Sequence, residues 1–368
     1  MANTAARFTY FSAFYILRTY HLSMKRHPLL ILSSFLLLLF FLSESCDETF
    51  ELNAPYEDIW VVYGVLNPQD SIQYIRVSKV FQPESDAFLY AENNDESVPG
   101  LKVELEGNDW KYTAIQIDSV PKQEGSFFPY TTLYAIYTQG DSALEEGERY
   151  DLKISADSLP DFQLNAYTLI PEEPRITSPS ILTRDNGEKC LQQVPFEDSV
   201  NISFFTQISG RKNTALEYEI RILMYYEEDS IPKRYRFGPT KLFNVSQSCS
   251  GGFNRLCYKL GNGVVFQGMK SRMLDTSSVY TYNRTEECAF GLDSLTRSVV
   301  VSVTAIDTFL SYYIIANDPR FLNLNTHRKE YSNIQGSDKA VGVFGAIATD
   351  SVPVALTGRA RFDLGLNP

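Results

Sequence analysis

From residue 60 onward, apolar and polar positions alternate in short runs. LKVELE (101–106) places Leu101, Val103 and Leu105 on one side and Lys102, Glu104 and Glu106 on the other, the two-residue period of a half-buried strand. Gly107-Asn108-Asp109 then turns the chain into WKYTAIQI, which predicts a hairpin. WVVYGVL (60–66), QYIRVSKVF (73–81), TTLYAIYT (131–138), YDLKIS (150–155) and FQLNAYTLI (162–170) are further strands. Short strands separated by Pro, Gly and Asp turns predict a mainly β chain, with an immunoglobulin-like sandwich over 55–170. PEEPRITSP (171–179) holds three prolines and is the expected linker. VNISFFTQI (200–208), LEYEIRILMYY (216–226) and SVVVSVTAI (298–306) then build a second sandwich over 180–368. One stretch changes period: Phe309, Tyr312, Tyr313 and Ala316 fall at i, i+3, i+4 and i+7 behind Asp307 and Thr308. This predicts a short amphipathic helix near 308–317, packed on the second sandwich.

The first fifty residues have another pattern. Leu29 to Leu42 is an apolar-rich stretch of fourteen residues behind Lys25, Arg26 and His27. That is short of the ~20 residues a spanning helix needs, and it matches a secretory signal. Met24 opens a compact signal unaided, so residues 1–23 are expected to be an upstream misreading of the gene start. Ser43 and Ser45 lead into Cys46, where a lipoprotein signal is cut and the cysteine thiol acylated. Residues 1–45 are then the leader and 46–54 a lipidated tether. Ser43-Glu44-Ser45 also satisfies ordinary small-x-small cleavage, and Ser43 stands where a standard lipobox has Leu.

Charge narrows the partners. The full chain carries a net −12, and the leader removes four basic residues (Arg7, Arg18, Lys25, Arg26) against one acid (Glu44). Such a chain repels phosphate backbones, so nucleic acid is not an expected partner, and membrane attachment falls to the lipid. Of three histidines only His327 lies outside the leader, which leaves little for a Ser-His-Asp triad or a His-rich zinc site. No phosphate-binding, dinucleotide or zinc-protease motif is present, and no cofactor is expected. A glycosidase built on two carboxylates needs none of these and stays open as an alternative.

Four cysteines follow the leader: Cys190, Cys249, Cys257 and Cys288. In an exported chain they allow two disulfides in three connectivities, with Cys249–Cys257 and Cys190–Cys288 favoured; four buried thiols are the alternative. Asp-Ser followed by an aliphatic residue recurs eight times, with serines at Ser71, Ser119, Ser142, Ser158, Ser199, Ser230, Ser294 and Ser351. The pair suits a turn that starts a strand. The tripeptide also resembles the O-glycosylation acceptor of Bacteroidetes-type exported proteins. Aromatics set in polar stretches, Phe88 and Tyr90 in PESDAFLYAENNDES and Phe127, Phe128 and Tyr130 in PKQEGSFFPY, are candidate contacts for a glycan, small ligand or partner; covering the sheet edge is the competing role.

VVYGVLNPQDSIQYIRVSKVF, the proline linker, TAIDTFLSYYIIAND and the closing YSNIQGSDKAVGVFGA together resemble a family of Bacteroidetes-type lipoproteins known only as a domain of unknown function. The resemblance covers roughly residues 46–350. In the family pattern the closing glycines directly follow Asn-Ile-x, whereas Gln335-Gly336-Ser337-Asp338-Lys339-Ala340 spreads them out here. Members are often encoded beside TonB-dependent outer-membrane receptors. The resemblance therefore implies a non-catalytic accessory or binding component of an uptake system. It would be lipid-anchored in the outer membrane and face the cell surface, with a periplasmic location as the alternative. It implies no catalytic residues. A structural or adhesive surface protein is the third possibility.

Overall fold

The computed structural model describes residues 58–80, 87–107, 109–122, 128–185, 189–206, 215–243, 255–261, 263–273, 278–281, 299–318 and 331–366. The leader, Cys46 and His327 lie outside them. The described chain is mainly β, and residues 57–368 form one compact unit. No helix among the described residues is long and apolar enough to cross a membrane.

The alternation read from sequence places side chains as expected. In β3 (Lys102–Gly107), Val103 and Leu105 are fully buried, each such burial contributing about 1.5–3 kcal/mol. The alternate residues face solvent and pair across strands. Lys111 on β4 (Trp110–Thr113) lies opposite Glu106 and reaches both Glu104 (3.1 Å) and Glu106 (3.0 Å). Lys153 on β7 (Arg149–Ala156) reaches Glu106 at 2.5 Å. The predicted turn is there, with Gly107 paired to Trp110 and Asp109 at φ 63°. With β8 (Leu159–Leu169) these strands form a four-stranded sheet in the order β4-β3-β7-β8.

The facing layer runs β1 (Trp60–Leu66), β2 (Ile72–Lys79), β6 (Tyr130–Tyr137) and β5 (Ile115–Pro121). Val62, Leu66, Ile75 and Tyr134 point inward onto Val103, Leu105, Leu152, Ile154 and Leu164, and the same core includes Ile334, Phe344 and Ala346 from the far end of the chain. The carrier of those last residues is β19 (Ala340–Leu356), a strand of 17 residues. Its first part runs parallel to β1, from Trp60↔Ala340 to Leu66↔Ala346. Its remainder runs antiparallel to β18 (Val299–Asp307), from Ile306↔Ile347 to Val299↔Val354. One strand thus serves two cores.

The second core lies between β14 (Ala215–Glu228), β18 and β19 on one side and the three-stranded sheet of β9 (Arg175–Ser178), β13 (Val200–Phe205) and β16 (Arg255–Leu260) on the other. Ile220, Ile222, Val301 and Val303 meet Ile202 and Phe204 there, joined by Val265, Phe266 and Met269 of a helix, Val264–Lys270. β15 (Ile231–Phe243) extends the sheet beyond β14, and β17 (Tyr280–Thr281) adds a short pairing on β14. The hairpin β10 (Ile181–Thr183) and β11 (Lys189–Leu191), and β12 (Gln193–Val194) beside the end of β19, connect the layers.

Two expectations change. The boundary at 171–179 does not leave a self-contained body over 180–368, because Ile334, Ala340, Phe344 and Ala346 pack in the core of β1 to β8. The proline-rich stretch is not a free linker either, since its Arg175–Ser178 pairs with β13. A parallel pairing between strands some 280 residues apart has no local signature, so periodicity could not reveal it.

Candidate functional site

The predicted helix forms over Thr308–Asn317 and sits where the two cores meet. Its apolar residues go round the helix and do not form a single stripe, because it has neighbours on several sides. Phe309 stacks edge-on to Tyr167 of β8, Tyr313 donates a hydrogen bond to Tyr63 of β1 at 3.1 Å, and Leu310 packs with Ile306 and Val343. Helix placement on the second sandwich alone is thereby corrected: it contacts both.

Asp307 caps this helix and is buried. Its carboxylate accepts from the Leu310 amide (2.8 Å) and from Thr168 Oγ1 (2.7 Å), with the Ala346 and Phe309 amides alongside. Burial pushes its pKa up, and those hydrogen bonds oppose the shift. Glu217 behaves likewise: burial raises it, while Ser311 (3.0 Å) and Lys241 (3.4 Å) pull the other way. Asn333 completes the junction. Its side chain donates to the Tyr167 and Phe344 carbonyls (3.2 and 2.7 Å) and accepts from the Phe344 amide (2.9 Å), so it pairs with β19 as a strand residue would. The closing motif is backbone engineering of the same kind. Gly342 has φ +127°, and a Cβ there would lie 2.0 Å from the Val62 carbonyl; a Cβ on Gly345 would meet Leu310 Cβ at 2.6 Å. These groups hold β1, β8, β19 and the helix together, and nothing in their arrangement is open to a substrate.

A second polar cluster lies where the proline stretch crosses β19. Glu173, Arg175, Ser180, Asp350 and Ser351 line a cleft of about 390 Å³. Burial, with Asp350 and Glu146 adding their charge, pushes Glu173 up to about 6. Each carboxylate is already engaged: Gln69 donates to Glu173 (2.8 Å), the Ile176 amide to Asp350 (2.6 Å) and the Glu173 amide to Glu146 (3.0 Å).

The third cluster is on the outer face of the β1-β2-β6 layer. Arg76 and Ser78 occupy outward positions of β2, opposite Tyr63 and Val61 of β1. A short helix, Ala87–Asn93, borders the same cleft through Ala91. Its residues were expected in a polar loop, but AFLYAEN holds good helix formers, and Asn93 and Asn94 donate back to the Leu89 and Tyr90 carbonyls (2.7 and 2.8 Å) at its end. Together with Lys79, Glu96 and Lys122 these elements enclose a cleft of about 360 Å³ floored by Val61, Val80 and Ala91. The aromatics singled out from sequence gather beside it. The Phe128 amide bonds the Ala91 carbonyl (2.8 Å), Phe128 and Tyr130 pack edge to face, and Phe88 is 75 % exposed and Tyr130 46 %. Tyr90 hydrogen-bonds Glu96, which holds its hydroxyl's pKa above the usual value. Phe127 lies outside the described residues. The cations were missed in sequence because RVSK reads as the polar face of a strand, and Lys122 comes from a hairpin more than forty residues away.

Of the remaining candidates, Cys190 and Cys257 are both disulfide-bonded, which overturns the free-thiol alternative for these two; Cys249 and Cys288 lie outside the described residues. Ser71, Ser158, Ser199 and Ser230 each directly precede a strand, with Asp229 and Ser230 at positive φ in the β14–β15 turn. Ser119 sits at a register shift in β5 and Ser142 in a 3-10 turn. Ser351 departs from the turn expectation, lying inside β19 with its hydroxyl on Ser302 (2.9 Å). Ser294 is outside the described residues. Among the described residues no group of three or more His, Cys, Asp or Glu is placed to hold a metal ion. No family model matches the chain, and no curated protein matches it.

Proposed function

We propose that this is a lipid-anchored outer-membrane protein, tethered through Cys46 and facing the cell surface, that binds its ligand or partner without turning it over and serves a TonB-dependent uptake system. One observation carries the binding half. Two aromatic segments distant in sequence, 88–90 and 128–130, converge beside an open cleft on the outer face of the first sheet. Aromatics displayed with a polar rim are the composition of a recognition surface. The anchor and the receptor rest on the sequence: the leader ending at Cys46 and the resemblance to surface lipoproteins. A tethered protein moves in two dimensions, so a weak interface suffices for docking on a membrane partner. Two immunoglobulin-like sandwiches and O-glycosylation at Asp-Ser pairs belong to this proposal, with Ser71, Ser119, Ser158, Ser230 and Ser351 the exposed acceptors among the described residues.

Labelled fatty acid incorporated by the wild type and lost in Cys46→Ala tests the anchor. Crosslinking in intact cells followed by pull-down tests the partner; a protein that surface proteolysis cannot reach, or that brings down no receptor, ends the uptake reading. The glycosidase alternative keeps one supporting observation, the shared cleft of Glu173 and Asp350. Hydrolysis of aryl glycosides that disappears in Glu173→Gln would favour it over binding alone.

A further inference from the structure

We propose that the cleft between β2 and the Ala87–Asn93 helix is a binding site for a small organic carboxylate, with Arg76 and Lys122 as its charged anchors and Val61 and Ala91 as its apolar floor. This names the ligand class for the binding surface described above and rests on that reading.

In a chain of net −12, three cations converge on one cleft with a single acid, Glu96, in its lining. That acid already accepts the Tyr90 hydroxyl. Of the cations, Lys79 is occupied, paired with Asp58 at 3.1 Å and stacked 4.7 Å over Trp60. Neither Arg76 nor Lys122 forms a salt bridge with a described carboxylate, and Asp95 acts on Lys122 only by its nearby charge.

Arg76 is itself incompletely satisfied. Its Nε is shut off from solvent and has no hydrogen-bond partner. A buried N–H left unmet costs about 1–3 kcal/mol, and folds seldom retain that cost without use. Lys122 shows the same tension: burial and the nearby Arg76 charge lower its pKa, and only Asp95 opposes them. An anion between the two would offset the repulsion of their charges.

Shape selects the class of anion. A guanidinium takes a planar carboxylate through two parallel N–H···O bonds, and the ammonium adds a point charge. The apolar floor suits a ligand with a hydrocarbon or ring body, and about 360 Å³ lies within the range of small-molecule pockets.

The test is a ¹⁹F NMR titration of the purified full chain with 4-(trifluoromethyl)benzoate and, separately, with the neutral 4-(trifluoromethyl)benzamide. The benzoate is expected to bind saturably and the amide at least tenfold more weakly, a comparison that needs no variant. Arg76→Gln should weaken benzoate about tenfold, and Arg76→Lys should recover part of the loss. Equal binding of acid and amide, no benzoate binding up to about 10 mM, or unchanged affinity in Arg76→Gln would each overturn the site. Inorganic phosphate displacing benzoate at equal concentration would overturn the carboxylate class. Failure here leaves the crosslinking result standing, and failure of crosslinking with benzoate still bound removes only the receptor.

Discussion

The junction around Asp307 and the cleft around Arg76 both gather charged side chains on the sheet that contains β1, and they differ in one respect. At the junction the carboxylate of Asp307 and the amide of Asn333 have partners in the fold, supplied by Thr168, Leu310, Tyr167 and Phe344. In the cleft Lys79 is paired with Asp58, while Arg76 and Lys122 converge with no salt-bridge carboxylate among the described residues. Buried polarity that is satisfied internally is scaffold; polarity left waiting is where an outside group fits. A raised carboxylate pKa alone does not separate the two, since Asp307 has one and is plainly structural. Partner lists do.

Substitutions rank accordingly. Gly342→Ala should cost most, about 3 kcal/mol or more, because φ +127° and a 2.0 Å approach to the Val62 carbonyl leave a Cβ no room. Urea unfolding measures it, and a loss under about 1 kcal/mol would deny that β1 and β19 are held so closely. Asn333→Ala should follow at about 2–3 kcal/mol, since it strands the amide and carbonyl of Phe344 in the core. Hydrogen exchange at the Phe344 amide should accelerate with it.

Glu173 sharpens the contrast through pH. Its folded pKa of about 6 lies above the 4.5 of an ordinary glutamate, so the folded state holds the proton more tightly than the unfolded state. Stability from this group is therefore full below about 4.5, falls as pH rises toward 6, and stays reduced above it. Glu173→Gln should remove that slope and, allowing for solvent screening, gain on the order of 1 kcal/mol at pH 7.5 and nothing at pH 4. Unfolding midpoints across that range decide it. A variant with the wild-type slope would assign the pH dependence elsewhere.

How much of this was legible in the sequence depended on range. Local alternation located β1, β3, β7 and β18 closely, and Asp307 before TFLSYY marked the helix and its cap. The two-body layout was read from the prolines at 171–179 and missed the return of β19, whose Pro353 and Asp350 look like breaks although both lie within the strand. Aromatics stood out in their polar surroundings and did converge. Arg76 and Lys122 did not stand out, because a cation on the outer face of a strand looks like ordinary solubility until its neighbours from α-helix and hairpin are in place.

If the cations of the cleft serve a ligand and not the fold, the unfolding free energy of Arg76→Gln/Lys122→Gln beside the wild type in ligand-free buffer will show it. Removing two mutually repelling charges that form no salt bridge among the described residues should leave stability within about 0.5 kcal/mol of wild type or raise it. A loss of about 2 kcal/mol or more would show that these side chains hold the structure together, and would contradict the account.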